Sequence, residues 1–208
     1  MNPELENILG RIYNLYFKYG IKSVTMDDVS RELGISKKTL YEHFTDKDEM
    51  VSQVFELERK KVLKDLCEIL GYAQNAILEL FLINRYFSEK IKNYNANVDF
   101  DLKKYHFNVY ENHKSKALES MYSHILSNLN RGINEKVYRN DFNAEFIARL
   151  HVSRLVTMQQ SEIFTMEELL DKSCHQELII YHVRGIATPE GIKILEKELE
   201  KIKKETGK

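Results

Sequence analysis

The chain has 208 residues, 43% of them hydrophobic and 30% charged, with 31 Lys and Arg against 32 Asp and Glu. That length predicts one or two domains with a substantial core, and the balanced charge excludes a uniformly basic nucleic-acid binder. Eight Gly and two Pro exclude a collagen-like or Pro/Gly-rich disordered chain and count against an all-β fold with many tight turns. The two cysteines, Cys67 and Cys174, have no CxxC spacing, which argues against a disulfide scaffold or a zinc ribbon. The amino-terminal MNPELENILGRIYNLYF does not make a secretory signal, and the longest apolar runs (76–78 and 80–83) fall far short of a membrane span. A soluble, reducing, cytoplasmic setting is expected.

Glycine and proline are sparse enough to punctuate the chain. Ile8, Leu9, Ile12, Leu15, Tyr16 and Tyr19 have helical spacing, and Gly20 follows as a C-cap. Thr25-Met26-Asp27-Asp28 predicts a capped helix over 27–33, closed by Gly34; Ser36 caps a second over 37–44. Both are too short to be stable alone, so they must pack on the first helix. A long helix is expected from Asp46 to about Leu70, broken by Gly71, and another from about Ala73 to Tyr94. The Asn-rich stretch 93–97 reads as a loop, and 99–133 as one kinked helix or two. After a connector at 136–142, Asn143 caps a helix bearing Phe146, Leu150, Leu155 and Met158. A further helix spans roughly 166–185, and Thr188-Pro189-Glu190 opens the last, amphipathic one. The expectation is all-α, about nine helices.

Two short helices joined at Gly34, the second opening Ser36-Lys37-Lys38-Thr39, make a helix-turn-helix pattern. Val29, Leu33, Ile35, Leu40 and Phe44 supply its glue, which leaves Lys37, Lys38, Thr39, Tyr41 and His43 on the free face of the second helix. Such short polar and basic side chains suit phosphate and base-edge contacts in a major groove. Charge must then be sorted by face, because residues 1–48 hold seven basic groups against eight acidic ones.

From Ile8 to about Met50 the sequence resembles the TetR family of bacterial transcriptional regulators. The matching residues are Leu15-Tyr16, Gly20, Thr25-Met26-Asp27-Asp28-Val29, the run from Leu33 to Phe44, and Lys47-Asp48-Glu49-Met50. Val29-Ser30 and Leu33 depart from the small-residue pattern common there, and Lys38 stands where glycine is frequent. A weaker likeness lies in 184–191, at the junction before the last helix. The resemblance implies a homodimeric repressor on a partly palindromic DNA operator, released by a small molecule. It divides the chain into a helix-turn-helix domain, 1–48, and a helical sensing and dimerisation domain, 49–208, in which the helices at about 143–164 and 166–185 pair across the dimer. Carried over by position, Thr25, Lys47 and His43 would meet phosphates, Ser36, Lys37, Lys38 and Tyr41 would be shared between backbone and bases, and Thr39 would face bases. Thr25 and Ser36 also serve as helix caps, and Tyr41 could instead pack on the first helix.

The effector site is less legible. Phe87, Phe107, Tyr110 and Tyr122, with His151, Arg154 and Met158 as further candidates, would suit a largely apolar or aromatic ligand, although aromatic stripes at helical spacing more often form core. His175 and His182, like His106 and His113, are seven apart, not the three or four usual for a metal pair on one helix, and no carboxylate or Cys completes a set. No GxSxG, Gly-rich phosphate loop or Cys-His constellation points to an enzyme. The expectation is no metal, no cofactor, no catalysis and no membrane. The alternative keeps the DNA-binding head and gives the large domain a protein partner.

Overall fold

A computed structural model of the chain describes residues 2–91, 95–160 and 162–206. Its elements are α1 (Pro3–Tyr19), α2 (Met26–Leu33), α3 (Lys37–His43), α4 (Lys47–Tyr72), α5 (Ala76–Ile91), α6 (Ala96–Tyr105), α7 (Phe107–Asn134), α8 (Ala144–Gln160), α9 (Met166–Leu170), α10 (Lys172–Ile186) and α11 (Pro189–Thr206). The fold is all-α, and the described residues hold one isolated β-bridge, between Tyr138 and Ala187.

The described residues form eleven helices against about nine expected: the 99–133 span, read as one kinked helix or two, is two, and the 166–185 span is interrupted without Gly or Pro. The 99–133 span divides at His106, which leaves helical geometry (φ −133°, ψ 48°) as the C-cap of α6. The 166–185 span divides at Asp171, which closes α9 and then caps α10 by accepting the Ser173 N–H at 2.9 Å. The long helix ends where expected: Gly71 is the penultimate residue of α4, which stops at Tyr72. The break runs over 73–75, where Asn75 Oδ1 accepts the N–H groups of Ile77 and Leu78 to start α5.

The chain divides into two compact units, the first made of 1–65 with 94–117, the second of 66–93 with 118–208. In the first, Leu9, Ile12 and Tyr16 of α1 bury against α2, α3 and the first half of α4, and Val98 and Leu102 of α6 join the same core. Three polar ties fix α6 and its end there: Asn95 donates to Phe17 O (2.7 Å), Lys22 N–H donates to Asp101 Oδ2 (2.8 Å), and buried His106 meets Asp48 (2.5 Å). This compact unit therefore reaches well past the 48/49 boundary drawn on functional grounds.

In the second unit α10 lies along α5, with Ala76, Ile77, Leu80, Leu129, Val183 and Leu195 in the core. A charged network runs through this interior. Glu79, 2% exposed, accepts from Arg131 (2.8 Å) and from Asn128 (2.9 Å), and His124 Nε2 stands 3.4 Å away without hydrogen-bond geometry. Arg131 also holds Glu135 and the Ala73 carbonyl, and Glu135 accepts the Ala76 N–H, so the start of α5 is fastened to α7.

The buried Tyr138 ring lies directly over Gly132 in α7, where an added Cβ would clash with the ring. Alanine normally stabilises a helix interior relative to glycine. Here Gly132→Ala is expected to destabilise by about 1–3 kcal/mol, the cost of overpacking. Gly71→Ala, with nothing within 4 Å of its Cβ, should stabilise by about 0.5–1 kcal/mol. Urea midpoints of the two variants should move in opposite directions.

Candidate nucleic-acid interface

The reading head is assembled by local capping. Thr25 starts α2 through a reciprocal box: Asp28 N–H donates to Thr25 Oγ1 (3.2 Å), and Asp28 Oδ2 accepts from the Thr25 N–H (3.0 Å) and hydroxyl (2.6 Å). Gly34 turns the chain in left-handed geometry (φ 71°, ψ 28°). Ser36 then starts α3 by accepting the Thr39 N–H at 3.0 Å, and its hydroxyl lies 2.9 Å from that of Thr39. Leu40 and Phe44 are buried in the core of the first unit. With these two pointing inward, α3 turns Lys37, Lys38, Tyr41 and His43 outward and leaves Thr39 half-exposed. Tyr41 is 52% exposed.

Two of the expected phosphate contacts already have protein partners. Lys37 pairs with Asp27 at 2.7 Å, both side chains more than half exposed; such a pair contributes about 0–1 kcal/mol and exchanges readily. Half-buried Lys47 donates to Ile21 O (2.7 Å) and Lys22 O (3.3 Å), so it braces the α1–α2 loop against the start of α4. Burial pushes its pKa down while Asp101, Asp48 and Asp28 oppose the shift. The docking of α6 on this head was not anticipated from sequence; its only signal is Val98 and Leu102, four apart in a polar stretch.

Residues 8–54 match the profile of the family described as bacterial regulatory proteins, tetR family. The uncharacterized HTH-type transcriptional regulator YvaF of Bacillus subtilis (strain 168) is 25% identical over 179 residues, covering 80% of this chain and 89% of its own. Among solved structures, a transcriptional regulator from Cytophaga hutchinsonii superposes with a TM-score of 0.69 at 23% identity, over 90% of this chain and 100% of the other. A Saccharomonospora viridis protein in complex with choline superposes with a TM-score of 0.61 at 16% identity, over 89% and 98%. Residues 8–54 are thus a TetR-family DNA-binding domain, and the chain carries the helix-turn-helix of a transcriptional regulator at its amino-terminal end.

The structure distributes the effector candidates over both units. Phe107 (58% exposed) and Tyr110, which packs on the core of the first unit, belong to that unit. Phe87, Tyr122, His151, Arg154 and Met158 belong to the second. Tyr122 packs on the core there, and Phe87 is 40% exposed with its ring edge on Tyr86. His151 and Arg154 are in contact (His151 Nδ1 to Arg154 Nη2, 3.3 Å), joined by His182, whose ring centroid lies 4.3 Å from that of His151. Sequence reasoning missed His182 in this role. The other paired histidines have different neighbours: His175 bonds the Leu169 carbonyl, His106 meets Asp48, and His113 sets its ring edge on Phe55.

Burial, then the neighbouring charge and dipoles of His182 and Arg154, pushes His151 down to about 3; burial and Arg154 push His182 down to about 4. A histidine whose pKa falls on folding binds fewer protons folded than unfolded, so its contribution is intact above the unfolded value of about 6.5 and erodes as pH drops toward about 4. The loss approaches about 1.4 kcal/mol per pH unit for each histidine in that window. His113 and His124, also lowered by burial, add to it, whereas Glu56, held down to about 2 first by Arg59, adds acid sensitivity only below about 4.5. His182→Phe should therefore lose visibly less stability than wild type between about pH 7 and about pH 5. Equal losses would mean that His182 titrates as if exposed.

Proposed function

We propose that this TetR-family regulator is a cytoplasmic repressor that binds a partly palindromic operator as a homodimer and is released by a small molecule held in its second unit. Residues 1–48 read DNA, and 49–208 sense and pair. The observation that carries the reading is the division of α3, with Leu40 buried and Lys37, Lys38, Tyr41 and His43 presented outward. Lys37, Lys38 and His43 position the helix on phosphates, Thr39 and Tyr41 meet bases, and Thr25, Ser36 and Lys47 hold the frame while contributing backbone contacts.

One such helix spans few base pairs, and pairing two half-sites at a fixed spacing multiplies specificity. Exposed Phe146 and Leu150 on α8 and Tyr181 on α10 offer an apolar face for that pairing. The choline complex of the Saccharomonospora viridis protein is an instance of a similar scaffold holding a small ligand. Helix α4 is continuous from Lys47 to Tyr72, so a shift of its far end is delivered at Lys47, which braces Ile21 and Lys22. The operator fixes the separation of the two heads, so a change of a few ångströms costs simultaneous engagement.

The test is binding of the full chain to a duplex carrying the intergenic region beside its own gene, at two salt concentrations. Salt-sensitive, competitor-resistant binding with two chains per site is expected. A folded dimer without affinity for any DNA would overturn the reading in favour of a protein partner.

A further inference from the structure

We propose that the polar cluster between α8 and α10 is a receptor for a carboxylate, and hence that the effector is an organic acid. The inference rests on the ligand-released reading above and names the chemistry that ligand must carry.

The argument starts from an unbalanced charge. Arg154 is half-buried, and its contacts are the neutral His151 ring nitrogen, the Leu178 carbonyl at 3.4 Å and the face of Tyr181 at 5.6 Å. Among the described residues no Asp or Glu pairs with it. Its Nε is buried without a hydrogen-bond partner. Beside it His182, 8% exposed, leaves Nε2 buried and unpartnered, while His151 is 3% exposed. Both imidazoles are kept neutral by burial, so they add no negative charge. The region holds one cation and two unfilled hydrogen-bonding positions, Arg154 Nε and His182 Nε2.

A partly buried charge of this kind is costly unless an opposite charge meets it. The guanidinium fork matches two coplanar oxygens, which a carboxylate presents. With its proton on Nε2, His182 supplies one more donor to the same group. A phosphate, carrying more charge and more oxygens, would ask for further donors that the cluster lacks. A cationic ligand would be repelled by Arg154. The apolar residues beside the cluster, Ile179 and Val183, suit the hydrocarbon part of such an acid.

The test compares acids with neutral amides of the same shape, benzoate with benzamide and octanoate with octanamide, on the full chain by calorimetry. Acids should bind roughly 10- to 100-fold more tightly than amides, the range for a charge-assisted hydrogen bond gained. Arg154→Met should erase that difference and leave the unliganded protein melting at the same temperature or higher, because a cation without a counter-charge has been removed. His182→Phe should weaken the acids several-fold and provides a second variant should the first not fold. Equal binding of acids and amides, no binding of either acid, or acid binding unchanged by Arg154→Met would overturn the proposal. So would dissociation of the dimer by Arg154→Met, since the carboxylate would then be an Asp or Glu of a second copy. Failure of the underlying reading looks different: acids would bind in an Arg154-dependent way and leave the operator complex intact.

Discussion

Replacing Lys37 and Lys38 together by alanine should weaken binding to every DNA sequence and flatten its salt dependence. Every phosphate that a lysine no longer neutralises takes about 0.9 off the slope of log K against log salt, so four such phosphates in a dimer reduce it by about 3.6. The structure adds a condition, because Lys37 begins in an ion pair with Asp27 and must exchange that carboxylate for a phosphate. Asp27→Asn should therefore strengthen sequence-independent binding. Thr39→Ala should instead alter preference at one or two base pairs by about 1–3 kcal/mol with the salt slope unchanged. Its effect on the fold should be small, since the Ser36 cap bonds the Thr39 backbone N–H, which alanine keeps. Anisotropy titrations at several salt concentrations, against operator and scrambled duplex, separate the two behaviours. Identical responses from the lysine and threonine variants would refute the division between positioning and reading.

Arg131→Ala should be among the most destabilising single changes in the chain, by about 3–5 kcal/mol, because it strands Glu79 in the interior without its cation. Asn128 alone would still donate to the carboxylate, and the Ala73 carbonyl would lose its donor. Removing both charges with Glu79→Leu and Arg131→Met should recover much of that loss, since the buried pair contributes little beyond an apolar pair of similar volume. Urea unfolding followed by circular dichroism measures both. An Arg131→Ala cost below about 1 kcal/mol would mean that Glu79 is hydrated despite its burial.

What could be read from sequence was local. The caps at Thr25 and Ser36 and the left-handed turn at Gly34 are decided by residues within three or four positions, and the structure forms each of them. The exposed face of α3 follows once Leu40 and Phe44 are placed inward. The break at Asp171 was not legible, and the one expected within 99–133 could not be placed, because ordinary residues make them: His106 leaves the helix where it meets Asp48, which is 58 positions away. His182 drew notice for its spacing from His175, whereas its neighbours are His151 and Arg154 on another helix. Spacing along one helix carries no information about such a neighbour.

The sharing of one core by α1–α4 and α6 bears on how regulators of this architecture could exchange specificities. A head cut out at residue 48 would leave behind Val98 and Leu102, which close its apolar floor, together with Asn95 and Asp101, which satisfy backbone groups at Phe17 and Lys22. The transplantable module is therefore discontinuous in the gene. A viable chimera between this chain and a relative must carry 95–106 with the new head, or retune those positions to the incoming surface. Recombination at a single crossover would break the match, whereas point substitution on the outer face of α3 would leave it untouched.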